Sequence, residues 1–457
     1  MTVAEADSVT ARLCRRIVET GDQDLSVAAI AAAKRLILDG IAVAVAGCRA
    51  EEAPGILAEH AQEMGGTPQA TVIGFGFKTS TTQAALINGA SMHVLDYEPM
   101  WSPANHALST SLPTVLALAE VLPVGGRAMI TALVKATEIQ GWLRQASGLF
   151  ESRGLSFHPP GMVGPLGAAT AAGHLMGFDV DRMRHAIGLA ASRCGSVLAN
   201  AGTMTKSTHC GLAGSLGLDA ALLARRGFTA NLNVIDDPRG YAKAFFGARA
   251  DPELLVRFGP PWRLVDPGYA IKMFPSQFGT HFVITAALEA RRQIADPAAI
   301  KSVEIRGPVM TYVDRPQPDT GLAGKFSFQY TASCALLDGA VKIDSFTDQR
   351  RFAPDMVAML NKVTVKQLPD MPASFETMHV EMDVTLADGR VIKTRCNRPA
   401  GAWGEVIPAD VHLPKVRDCL RYGLDAATAD RVITTVDRFE TLESADVRAL
   451  IALVGPR

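Results

Sequence analysis

Apolar residues recur at helical spacing from the start of the chain. Val9, Leu13 and Ile17 stand about one turn apart, which predicts a helix within residues 8–24, closed by Asp22 and Asp24. Residues 25–46 continue as a longer helix, in which Ala28, Ala29, Ala31, Ala32 and Ala33 invite close packing. Positions 38–47 are nearly uncharged and are expected to be buried. Residues 70–74 read as a short extended piece ahead of a helix that begins near 80. Small-residue helices are then expected over 84–95, 112–122, 130–145, 164–177, 180–194 and 211–226. Loop signals stand at Asp236-Asp237-Pro238-Arg239-Gly240 and at Gly259-Pro260-Pro261.

Beyond about residue 269 the period changes. A helix over 280–295 is followed by alternating stretches at 301–306 and 362–366, the pattern of half-buried strands. Residues 379–386 and 391–394 flank Asp388-Gly389, a turn dipeptide that predicts a β-hairpin. From Ala409 the helical pattern returns. The expected architecture is mainly α: a helical segment over 1–268, a smaller α+β segment over 269–404, and C-terminal helices over 405–457. No internal repeat or low-complexity segment interrupts it.

A chain of 457 residues, 48% hydrophobic and 20% charged, has the composition of a globular protein with two or three domains. Its formal net charge of -1 gives no basic field for nucleic acid or an anionic membrane. Apolar runs such as 41–46 are too short to cross a bilayer. Seven scattered cysteines without a CxxC pair point to reduced thiols rather than a disulfide framework or zinc site. The N-terminus carries Glu5 and Asp7 where a secretory signal carries bases, so a cytoplasmic location is expected.

Four stretches carry candidate chemistry. In the first, Asp96 and His106 bracket a proline-broken loop between two helices. They are either a carboxylate and imidazole held for proton transfer or a capping Asp and a surface His. His158, ahead of Pro159-Pro160, is placed near a helix N-terminus that suits a carboxylate, or simply packs there. Lys206 and His209 share a face if their helix starts early. Lys206 then either reaches solvent or awaits an anion, because an unpaired buried ammonium is costly. Lys272 lies among apolar residues at the domain junction, near Gln277 and His281, and is either a ligand-binding cation or a lysine with a packed stem. Tyr330, in Lys325-Phe326-Ser327-Phe328-Gln329-Tyr330, is a weaker candidate with a core role open to it.

Other chemistries lack their motifs. No HExxH or CxxC offers metal spacing, no glycine loop has a nucleotide-binding context, and no GxSxG elbow is present. Several cations without a metal or nucleotide motif suggest a small polycarboxylate ligand and acid–base chemistry, with no cofactor.

The same residues resemble the MmgE/PrpD family. The likeness rests on Asn88-Gly89-Ala90 through His93-Val94-Leu95-Asp96-Tyr97 to His106, then Phe157-His158-Pro159, Thr205-Lys206 with His209, and Ile271-Lys272 with Phe274-Pro275. It spans nearly the whole chain. It implies a helical domain built from both chain ends, a smaller α+β lid and a homodimer. The family includes 2-methylcitrate dehydratase, cis-aconitate decarboxylase and iminodisuccinate epimerase. The motifs around Lys272 and Phe328-Gln329-Tyr330 are nearest to the decarboxylase. By this resemblance Asp96, His106, His158, Lys206 and Lys272 are the expected catalytic residues, with His209, Tyr330 and Gln277 binding substrate. A cofactor-independent lyase of a di- or tricarboxylate is expected, with a dicarboxylate epimerase or a non-catalytic carboxylate-binding protein as alternatives. Where the family often reads Asp-Phe-Asp-Asp-Thr, this chain has Asp96-Tyr97-Glu98-Pro99-Met100.

Overall fold

The computed structural model describes residues 7–150, 155–405 and 407–456. Most of the acidic N-terminal stretch read above for targeting lies outside them. The helices are α1 (Val9–Glu19), α2 (Val27–Ala50), α3 (Glu52–Met64), α4 (Thr81–His93), α5 (Ala107–Ala119), α6 (Gly126–Ala146), α7 (Pro159–Leu175), α8 (Val180–Ala191), α9 (Met204–Arg225) and α10 (Tyr241–Phe246). After them come α11 (Phe278–Arg291), α12 (Gly321–Gly324), α13 (Phe328–Asp338), α14 (Asp348–Arg351) and α15 (Pro354–Leu360). The tail adds α16 (Ala409–Leu420), α17 (Ala426–Asp437) and α18 (Ser444–Leu453). The chain is mostly helical, with a small α+β part.

Two apolar cores organise these elements. The larger draws on Val9 to Leu264 and again on Val416 to Val454, so the two ends of the chain share one interior. The smaller gathers Ala270 to Trp403, together with Met100 from the helical side. In the large core, glycines let helices touch backbone to backbone. A methyl at Gly47 of α2 would stand 1.9 Å from the Ser91 carbonyl of α4, and one at Gly211 of α9 would stand 2.0 Å from the Leu86 carbonyl. The Ala/Gly richness of the sequence thus becomes short interhelical spacing.

Helix starts differ from the pattern reading. Helix α5 begins at Ala107 and runs through Pro113, α7 begins at Pro159 and runs through Pro165, and α9 begins at Met204. Pro159 and Pro160 occupy the first helical positions, where a missing N–H costs nothing. The interior prolines are held by packing, since α5 and most of α7 are buried.

The smaller core is built on a four-stranded sheet, with β5 (Ile300–Pro308), β6 (Val363–Leu368), β7 (Val380–Leu386) and β8 (Val391–Cys396) in the order β6-β5-β7-β8. Strand β6 runs parallel to β5, and the other pairings are antiparallel. Burial alternates strictly along β7, as its sequence predicts. The hairpin turn sits at Asp388-Gly389, with Gly389 at φ +88°. In the helical part β1 (Ala70–Thr71) pairs with β2 (Lys78–Thr79).

One short pairing decides where the site lies. Strand β3 (Met100–Trp101) pairs with β4 (Tyr269–Ala270), Met100 opposite Ala270. It ties the loop after α4 to the entry of the smaller part, so Lys272, two residues on, arrives beside Asp96. Among the described residues, no helix is long and apolar enough to cross a membrane.

Candidate active site

Helix α4 ends at His93, and the chain then turns through Asp96, which adopts φ +51°. That left-handed conformation is uncommon outside glycine, and Asp is among the residues that tolerate it. It aims the carboxylate into the seam between the two parts. Asp96 Oδ2 accepts Lys206 Nζ from the first turn of α9 at 3.2 Å. Asp96 Oδ1 accepts Lys272 Nζ, whose ammonium also donates to the Asp96 carbonyl at 2.9 Å. Two lysines separated by 66 positions therefore meet on one buried carboxylate. Burial alone would raise the Asp96 carboxyl, but Lys206 and Lys272 hold it well below the usual carboxylate range.

Glu98 forms the second centre. It is fully buried, and its Oε1 accepts from His93 Nδ1 at 2.5 Å and Ser109 Oγ at 2.8 Å. His106 Nδ1 lies 2.9 Å from the same oxygen, and His106 Nε2 stands 3.9 Å from Asp96 Oδ1. His106 is thus flanked by two carboxylates. His93 Nε2 faces the Lys206 ammonium at 3.0 Å. An ammonium can only donate, so Nε2 accepts and Nδ1 carries the hydrogen given to Glu98. That is a neutral imidazole. Burial and the Lys206 charge agree with it, pulling His93 down to about 3.

His158 and His209 complete a ring of imidazoles. Their Nδ1 atoms are 3.3 Å apart, and the His158 ring lies 5.5 Å from that of His93 and 5.7 Å from that of His106. Burial and Lys206 hold His158 well below its ordinary value and lower His209 to about 4. The cavity beside this cluster is lined by His93, Asp96 and Lys206, with Gly202 and Phe326 among the remaining wall residues. One ring nitrogen each from His93, His106 and His158 lie within 4.8 Å of one another, close enough to share a metal ion. The Lys206 ammonium already supplies a positive charge there.

Asp96, His106, His158, Lys206, His209 and Lys272 are therefore brought together. Two expected residues are not. Tyr330 is packed in the smaller core with its hydroxyl donating to the Ser345 carbonyl at 2.6 Å, so its polar end is committed inside the lid. Gln277 precedes α11, and its side chain donates to the Tyr312 hydroxyl at 2.8 Å rather than to a residue of the cluster. Conversely, His93 and Glu98 were missed as site residues. Glu98 lies in the stretch bracketed by Asp96 and His106, where a carboxylate two positions after Asp96 was the available signal, and His93 ends the helix just before it. Met100, where the family often has Thr, is buried in the smaller core.

A second buried ion cluster supports the loop from behind. Asp39 of α2 receives Lys415 Nζ at 2.9 and 3.0 Å and His412 Nε2 at 2.7 Å, both from α16. Lys415 also donates to the Tyr97 carbonyl at 2.9 Å and sits 4.2 Å from the centre of the Tyr97 ring. The returning C-terminal helix thereby grips the residue between Asp96 and Glu98.

Comparison with known proteins agrees with the architecture. Residues 11–253 match the MmgE/PrpD N-terminal domain and residues 274–441 the MmgE/PrpD C-terminal domain. The chain belongs to the MmgE/PrpD family. It is 32% identical to the cis-aconitate decarboxylase of Mus musculus, covering 93% of this chain and 88% of the relative. Against the Homo sapiens enzyme of the same name identity is also 32%, covering 93% of this chain and 90% of the relative. The Aspergillus terreus cis-aconitate decarboxylase is 26% identical, with 91% of each chain covered.

Proposed function

We propose that this protein is a lyase of a small di- or tricarboxylate and that it decarboxylates cis-aconitate without a cofactor. The observation that carries the reading is the convergence of Lys206 and Lys272 on Asp96 beside four imidazoles. Breaking the bond to a carboxylate carbon releases carbon dioxide and leaves an electron pair on the remaining carbon skeleton. That negative charge, spread into a neighbouring carboxylate, needs fixed cations, which Lys206 and Lys272 provide in a water-poor seam. The pair is then quenched by a proton delivered to carbon. His106, between Glu98 and Asp96, is placed to hold and pass that proton, beside a His158 that burial keeps neutral. The names of the relatives support decarboxylation over dehydration, the family's other lyase chemistry.

An epimerase would use the same cations but return a proton to the carbon it left. The reactions are separated by incubating the purified enzyme in deuterated water with cis-aconitate, 2-methylcitrate and iminodisuccinate in turn. The expected result is carbon dioxide release from cis-aconitate, lost in Lys272→Ala and His106→Ala variants that keep the wild-type melting temperature. New enoate absorbance from 2-methylcitrate would identify a dehydratase, and deuterium uptake without net conversion an epimerase. Binding without turnover of any acid would leave a carboxylate-binding protein. A cytoplasmic homodimer belongs to the same proposal, and light scattering of the purified chain checks its oligomeric part.

A further inference from the structure

Apart from the proton that His106 passes to carbon, the buried cluster balances its own charge. Lys206 and Lys272 stand against Asp96 and Glu98, with His93 and His158 held neutral by their surroundings. A tricarboxylate entering the seam brings negative charge that these four ionised groups do not offset. A further cation near the cavity is needed, and Arg315, packed against the wall residues Phe326 and Gly202, supplies one.

Arg315 follows the turn Thr311–Val313 in the smaller part. Its guanidinium carbon lies 5.5 Å from the centre of the Phe326 ring, and Lys206 Nζ lies 5.2 Å from the same ring. Phe326 lines the cavity, so both cations are arranged around one of its walls. Arg315 Nε donates to the Tyr312 carbonyl at 2.9 Å and Nη2 to the Ala201 carbonyl at 3.4 Å. These bonds fix the plane of the group before any ligand arrives. Nη1 lies against Gly202, another wall residue, where an added Cβ would stand 2.5 Å from it. The glycine leaves the guanidinium room to approach the cavity, and an oriented arginine fork suits a carboxylate.

We propose that Arg315 is a specificity-determining residue that binds the substrate carboxylate farthest from the reacting carbon. It selects acids carrying that extra charge over those lacking it. This inference rests on the carboxylate reading above. Lys206 and Lys272 serve the reacting end, and Arg315 the distal end.

The test measures steady-state kinetics of the full chain, wild type, Arg315→Lys and Arg315→Gln. The substrates are cis-aconitate and its mono-amide in which the distal carboxylate is neutral. For Arg315→Gln the expected result is a KM for cis-aconitate raised at least ten-fold, with kcat falling less than three-fold, the pattern of lost uniform binding. Arg315→Lys should restore part of the KM. The mono-amide should show nearly equal KM in wild type and Arg315→Gln, because the interaction is already gone. An unchanged KM for cis-aconitate, or an equal rise for both substrates, overturns the assignment of Arg315 while leaving the reaction standing. A wild-type enzyme that neither binds nor converts either acid overturns the carboxylate reading and this inference with it.

Discussion

Glu98 Oε1 takes hydrogen bonds from His93 Nδ1 and Ser109 Oγ and stands 2.9 Å from His106 Nδ1, so one carboxylate faces two imidazoles of the site. Burial would raise its carboxyl, but the neighbouring His93 and His106 keep it well below the ordinary value. Replacing it by Gln keeps the shape and removes the charge against which both rings are set. We expect Glu98→Gln to lower kcat at least about 100-fold, the scale of a lost acid–base arrangement. Tyr330 provides the contrast. Its hydroxyl is bound inside the smaller core to the Ser345 carbonyl, so Tyr330→Phe should cost about 1–2 kcal/mol of stability and leave turnover unchanged. Denaturant unfolding and steady-state rates on the two variants separate these outcomes. A Tyr330→Phe enzyme with wild-type stability and greatly reduced kcat would return that tyrosine to the site.

Helices α4 and α9 carry the two halves of the site, His93 at the end of one and Lys206 at the start of the other. Their spacing is set by Gly211, which lies against the Leu86 carbonyl. Gly211→Ala forces a methyl into that contact. The expected cost is about 1–3 kcal/mol or more, with an unchanged denaturant slope and a fall in kcat as Lys206 is drawn off Asp96. A variant as stable and active as wild type would show that the helices can part without consequence. The same two helices show what was legible in the sequence. Lys206 and His209 were visible as a lysine and histidine three apart among small residues, but the start of α9 was hidden because Gly202 and the threonines read as a break. The hairpin of β7 and β8 was plain because its signals, alternation and Asp-Gly, are local. The burial of Glu98 and the docking of Tyr330 were not, since both depend on the pairing of β3 with β4 and on how α13 packs, which no local pattern encodes.

At the scale of the molecule, the interior holds imidazoles that folding keeps uncharged. His93 and His281 are each pulled to about 3 and His174 to about 4, in each case by burial first and then by a neighbouring lysine. Those lysines are Lys206, Lys272 and Lys135 respectively. In the unfolded chain the same groups titrate near about 6.5. Between that value and their folded values the unfolded state binds more protons, so stability rises with pH across the window and is lost as the solution is acidified. Asp96 and Glu98, both depressed in the fold, add a second loss below about pH 4, where their unfolded counterparts become protonated. The melting temperature should therefore fall from about pH 6.5 to pH 5, the three imidazoles together outweighing Glu138, whose carboxyl burial raises to about 7 and which acts in the opposite direction across that window. His174 lies outside the site, its Nδ1 3.0 Å from Lys135 Nζ, so a His174→Gln variant should soften the fall without altering the pH profile of turnover. Calorimetric scans from pH 8 to pH 5 check both expectations. A melting temperature that stays flat or rises on acidification would mean that these imidazoles are charged in the fold, and the neutral ring around Lys206 could not then be sustained.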